Sequence, residues 1–97
     1  MAVRLVLTFQ AAAGKGAEFA AAFKGRCEAV MQEPGCRQFE VFQSVLDPDK
    51  LVLLELWEDA AALEAHGKMN ATRAPFPSGL RGAEPPMRED YEYSRTR

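Results

Sequence analysis

The sequence predicts a small α+β domain with the element order β-α-β-β-α-β, and three features of its 97 residues carry that prediction. Four short stretches alternate residue character with period two, the pattern of a strand with two different faces. An apolar stripe at helical spacing separates the first stretch from the second. A turn of Asp47-Pro48-Asp49-Lys50 joins the second to the third, making those two an antiparallel hairpin.

Ala2 to Gln10 places Val3, Leu5, Leu7 and Phe9 on one face and Arg4, Val6, Thr8 and Gln10 on the other. Ala11 to Gly16 breaks the alternation; the glycines around Lys15 lack the rest of a phosphate-binding loop and read as a turn. Ala17 to Gln32 is a helix whose stripe runs through Phe19, Phe23, Cys27 or Arg26, and Val30. Pro34-Gly35 ends it, because Pro cannot extend the ladder and Gly accepts a left-handed turn. Cys36 to Val45 is the second strand and Leu51 to Glu58 the third. The third sets Leu53, Glu55 and Trp57 against Val52, Leu54 and Leu56, so it is expected to be central and covered on both faces. Asp59 is placed to cap a helix from Ala60 to about His66, with Gly67 a point of interruption and Lys68 to Ala74 a second short helical piece stopped by Pro75. After a Gly- and Pro-rich loop, Ser78 to Pro86, the stretch Met87 to Tyr93 forms the last strand. This order is the ferredoxin-like arrangement, with residues 1–97 expected to form a single domain.

Composition narrows the function. A 47% hydrophobic and 27% charged chain with net charge −2 has no basic stripe, so no nucleic-acid partner is expected. No stretch approaches the ~20 apolar residues of a membrane span, and no membrane partner is expected. Two cysteines outside any Cys-x-x-Cys read as reduced thiols of a cytoplasmic protein. One His, two separated Cys and no clustered carboxylates give no metal-ligand set. A four-stranded sheet with helices on one face leaves its other face in need of cover, and a second copy is the simplest cover.

The run Glu33-Pro34-Gly35-Cys36, then Phe39-Glu40-Val41-Phe42, the Asp47-Pro48 turn, Leu54-Glu55-Leu56-Trp57-Glu58-Asp59 and Leu63-Glu64-Ala65-His66 resembles the antibiotic biosynthesis monooxygenase (ABM) family, especially its quinol monooxygenase-like branch. The resemblance implies a homodimeric α+β barrel with a pocket between sheet and helices in each protomer. It also implies a cofactor-independent monooxygenase using dioxygen on a small quinol-like or polyphenolic aromatic. Isomerisation of a small metabolite by the same base, or ligand binding without chemistry, are the alternatives.

His66 is the only histidine, shares a helical stripe with Leu63 and Asn70, and is the expected base. Asn70 and Arg73 are candidate hydrogen-bond donors to substrate, with Phe76 following on the same wall and Tyr91 reaching in from the last strand. Trp57 and Glu55 share a strand face near the pocket, Glu55 as a second acid/base candidate, while Phe23 and Met69 are expected to line it. The haem-degrading relatives need an Asn on the first strand, where this chain has Thr8, Phe9 and Gln10, and a His near the place of Phe76. The anthrone-oxidising relatives place Trp where this chain has His66. Neither activity is expected, and no cofactor is.

Overall fold

The computed structural model describes residues 1–97 and has the expected element order. Strand β1 spans Val3–Gln10, helix α1 Gly16–Val30, β2 Cys36–Gln43, β3 Lys50–Trp57, helix α2 Ala60–Asn70 and β4 Met87–Glu92. The strands make one antiparallel sheet in the order β2-β3-β1-β4, the ferredoxin-like topology. No helix is long and apolar enough to cross a membrane.

Register decides what the site is made of. Leu5 pairs with Glu55, Leu7 with Leu53 and Phe9 with Leu51, while Phe39 faces Glu55 from the other neighbour of β3. Side chains alternate with period two, so these residues and Trp57 share the helix side of the sheet. Val6, Val52, Leu54 and Phe42 lie on the opposite side, which carries no helix; Phe42 and Tyr91 are exposed there and Leu54 is half-buried. The expectation that β3 is covered on both faces therefore holds within this chain for its helix side, and on the other side only at Leu56, which is buried between its partners Arg4 and Gln38.

The two helices pack unequally. Helix α1 drives Phe19, Phe23 and Val30 into the sheet, and the rings of Phe9, Phe19 and Phe23 meet at centroid separations of 5.4, 5.6 and 5.5 Å, within the range of favourable aromatic pairs. Helix α2, rich in alanine, fully buries only His66. Little fills the space between α2 and the sheet.

Two turns hold the helices in place. Both carboxylate oxygens of Asp49, in the β2–β3 turn, accept amides of the α1 start, Gly14 and Gly16, at 2.9 Å each. Gly16 sits so close to that turn that a Cβ would lie 1.8 Å from the Pro48 carbonyl oxygen. Gly35, at φ +80°, turns the chain into β2 with its Cα hydrogen against α2, where a Cβ would meet that of Ala62 at 2.5 Å. Asp59 caps α2 as expected, its Oδ1 accepting the Ala62 amide at 2.8 Å.

The boundaries differ from the expected ones in three places. Helix α2 runs unbroken through Gly67, since one exposed glycine costs only ~1 kcal/mol among good helix formers. It ends at Asn70, and residues 71–73 form a turn in which the Thr72 hydroxyl donates to the Met69 carbonyl at 2.7 Å. The second helical piece expected to reach Ala74 is absent, because that side-chain bond competes with continuation of the ladder. Strand β2 stops at Gln43, leaving Val45 and Leu46 exposed in the turn.

Candidate active site

His66 is buried on the inner face of α2, its ring 4.7 Å from that of Trp57 and 5.6 Å from that of Phe39. Its Nδ1 lies 2.9 Å from Oε1 of Glu33, and the other carboxylate oxygen, Oε2, is 2.7 Å from Nη2 of Arg73. Glu33 is thus gripped from two sides with its side chain only 9% exposed. A carboxylate only accepts hydrogen bonds, so the imidazole must carry its proton on Nδ1. In the neutral imidazole this leaves the lone pair on Nε2, and Nε2 has no hydrogen-bond partner in the protein.

Glu55 lies one strand position pair from Trp57 on the same face, and the Trp57 indole N–H donates to its Oε1 at 2.9 Å. Burial pushes the Glu55 carboxyl above the usual carboxylate range; the indole bond and the nearby His66 pull it back in part. The site therefore holds an oriented imidazole beside a carboxyl biased toward its protonated form.

Two hollows meet at these residues. One, of about 200 Å³, lies over the sheet where α1, α2 and the loop before β4 meet, and is walled by Leu7, Phe9, Phe23, Phe39 and Leu53. The other, of about 660 Å³, opens under α2 beside Leu5, Leu63 and Arg88. Leu7, Glu55, His66 and Asn70 line both. No three His, Cys, Asp or Glu side chains converge as a metal-ligand set.

The sequence-predicted residues divide accordingly. His66, Glu55, Asn70 and Phe23 come together at the hollows. Trp57 is fully buried behind them and acts on Glu55 and His66 rather than facing the space. Arg73 does not point a free guanidinium at a substrate: Nη2 is committed to Glu33, and Nη1 is buried without a hydrogen-bond partner. Phe76 packs tilted against Phe19 and Phe23, with centroids 4.8 and 5.0 Å apart, and does not line either hollow. Met69 is exposed and borders a separate surface groove at the Glu33 turn, which it shares with Glu33, Pro34, Asp59 and His66. It does not line the two hollows over the sheet, because residue 69 lies on the flank of α2 turned toward the Glu33 turn.

Tyr91 is also misplaced in the expectation. It pairs with Arg4, on the helix-free face of the sheet, where its hydroxyl donates to Glu89. The alternating neighbour Arg88 is the β4 side chain that reaches the helix side. Sequence reading missed Glu33, Arg26 and Arg81. Glu33 stood in the recognised run as a turn residue; its only signal was an acid next to a helix stop, which does not reveal a partner 33 residues away.

A sequence model of the family described as antibiotic biosynthesis monooxygenase matches residues 2–74. Among solved structures, a conserved protein from Methanosarcina mazei Go1 is similar at 27% identity and a TM-score of 0.83, over 97% of this chain and 94% of that one. A candidate antibiotic biosynthesis monooxygenase from Nitrosomonas europaea is similar at 24% identity and a TM-score of 0.78, over 93% and 88% of the two chains. Another from Deinococcus radiodurans is similar at 21% and 0.75, over 97% and 94%. No curated protein matches the chain.

Proposed function

The chain belongs to the antibiotic biosynthesis monooxygenase family, and on that premise we propose that it is a cofactor-independent monooxygenase of the quinol-oxidising branch, with His66 as its base. The observation that carries the reading is the imidazole held at Nδ1 by Glu33, with Nε2 unpartnered, in a residue lining an apolar hollow. Nε2 accepts the proton of a ring hydroxyl, and the phenolate passes an electron to dioxygen. The radical pair combines into a ring-bound peroxide. Loss of water from it leaves one oxygen on the ring as a quinone carbonyl, with all four electrons supplied by the substrate. The protein's part is a positioned base, a hydrogen-bond donor for the developing oxyanion and a dry wall. Asn70 is the side chain at hand for the donor, and the aromatic wall suits a one- or two-ring substrate.

Oxygen uptake with a hydroquinone, without added flavin or metal, tests this reading. His66→Ala is expected to lower the rate at least ~10-fold, the low end of the ~10²–10⁴ attributed to general acid–base catalysis being tempered by the substrate's own acidity. Full activity in that variant removes His66 from the mechanism.

A second reading, proton-transfer isomerisation, is favoured by Glu55. A carboxyl whose pKa burial raises, lining the same space as a base, can exchange a proton with a different carbon. Turnover that persists without oxygen selects it. For either chemistry we propose a homodimer formed through the helix-free sheet face, where Val6, Val52, Leu54 and Phe42 are otherwise left to water.

A further inference from the structure

We propose that the substrate is an anionic aromatic, a phenolic ring bearing a carboxylate-like substituent, whose charge is read by Arg81 and Arg26. This deepens the proposed chemistry and rests on it, since it takes the hollow at His66 as the place where the ring binds.

Five apolar side chains wall the 200 Å³ hollow, and its ionisable lining consists of Glu55, His66, Arg26 and Arg81. The other arginines with a role near the site are neutralised, Arg73 by Glu33 and Arg88 by Asp90. Arg26 and Arg81 have no carboxylate within ion-pair distance. In a chain where 14 acids outnumber 12 basic residues, two unpaired guanidiniums on one small apolar space are a local reversal of charge. Glu55, the one carboxylate in the lining, is engaged by the Trp57 indole N–H at 2.9 Å and forms no ion pair with either guanidinium.

Both guanidiniums are positioned rather than loose. Arg81 lies over the rings of Phe76 and Phe9, 5.0 and 5.7 Å from their centroids. Its backbone is pinned to the end of β1, with the Gly82 amide donating to the Gln10 carbonyl and the Ala12 amide to the Leu80 carbonyl, each at 2.8 Å. An aromatic platform orients a guanidinium without neutralising it. Arg26 spends one donor on the Ala74 carbonyl at 2.7 Å and keeps the rest of its fork. A planar fork of donors at the edge of an aromatic slot matches a carboxylate carried on a ring.

The experiment compares 2,5-dihydroxybenzoate with 2,5-dihydroxybenzamide, equal in shape and different in charge, by calorimetric titration. The wild-type protein is expected to bind the acid about tenfold or more tighter than the amide, as one charge-assisted pair contributes. In Arg81→Met the preference falls to about twofold or less, and in Arg26→Met it falls in part, while an unchanged circular-dichroism spectrum and urea midpoint show that the variants are folded. Equal binding of the two probes by the wild type overturns the inference. So does a preference that survives in the Arg81→Met/Arg26→Met double variant, or the binding of neither probe. Oxygen uptake is measured in parallel. Arginine-dependent binding of the acid without uptake leaves the inference standing and removes the monooxygenase reading; uptake with amide bound as tightly as acid does the reverse.

Discussion

Replacing Glu33 by Gln tests the site by one atom. One carboxylate oxygen is bonded to His66 Nδ1 at 2.9 Å, and the other forms an ion pair with Arg73 Nη2 at 2.7 Å. A carboxamide has one acceptor and one donor end. Arg73 can only donate, so it claims the carbonyl oxygen and the amide NH₂ turns toward Nδ1. Nδ1 must then accept, which moves the imidazole proton to Nε2 and removes the base from the hollow. The opposite amide orientation would set NH₂ against a guanidinium and forfeit a hydrogen bond to a charged group, worth about 1.5–3 kcal/mol. The base-competent tautomer is therefore expected to fall to a few per cent, and kcat/KM to drop about 10- to 100-fold.

Two assays check this. Oxygen consumption with a hydroquinone reads the rate. The ¹⁵N shifts of the imidazole read the tautomer without ambiguity, because the chain has one histidine. Adding Arg73→Met to Glu33→Gln frees the amide to turn its oxygen back to Nδ1, so the double variant is expected to be several-fold more active than Glu33→Gln alone. The reasoning is refuted if Glu33→Gln keeps its proton on Nδ1, or if the double variant is no better than the single one.

Three further outcomes follow from the fold. Burial raises the Glu55 pKa above its unfolded value, so the folded state holds the proton more tightly and stability falls as pH rises through the shifted pKa. Glu55→Gln, which keeps an acceptor for Trp57, should be more stable to urea than wild type at pH 7.5 and lose that advantage below about pH 4, where both states are protonated; a pH-independent difference contradicts the buried carboxyl. Gly35→Ala combines a left-handed backbone with a Cβ 2.5 Å from that of Ala62, and is expected to cost about 2–4 kcal/mol of unfolding free energy. A loss below ~0.5 kcal/mol, the scale of ordinary surface changes, counts against the close turn-to-helix packing. Leu54→Arg puts a charge in the middle of the helix-free sheet face and should turn a dimer into a monomer in sedimentation velocity; a wild-type protein that already sediments as a monomer removes the dimer.

Period-two alternation was enough to set Leu5 with Phe9 on one face of β1 and Leu53 with Glu55 on one face of β3, because a strand offers each side chain only two directions; that the two faces coincide rests on the pairing of Leu5 with Glu55. The same rule applied to β4 assigns Tyr91 to a face but not which face. That depends on pairing with β1, where Tyr91 meets Arg4 and Arg88 meets Leu7, and pairing between residues 87 and 81 positions apart leaves no local mark. Helical spacing placed His66 inward for a similar reason, and failed for Met69 because a helix that lies loosely on a sheet has a wide border between inside and outside. Arg73 is expected on a second helical piece and Phe76 further along the same wall, but α2 stops at Asn70; past that point periodicity has no meaning.

The position of the site follows from the unequal helices. Helix α1 brings three large side chains to the sheet and α2 brings one, so the core is dense under α1 and hollow under α2. A polar side chain in such a gap is stable only if the fold supplies its partners. Here the Gly35 turn does so: the close approach that excludes a Cβ at Gly35 presses the α1–β2 connection onto α2, and that connection carries Glu33. The packing that forms the turn thus also positions the base. A substitution that widened this turn would be felt first at His66 Nδ1, before the sheet or either helix had changed.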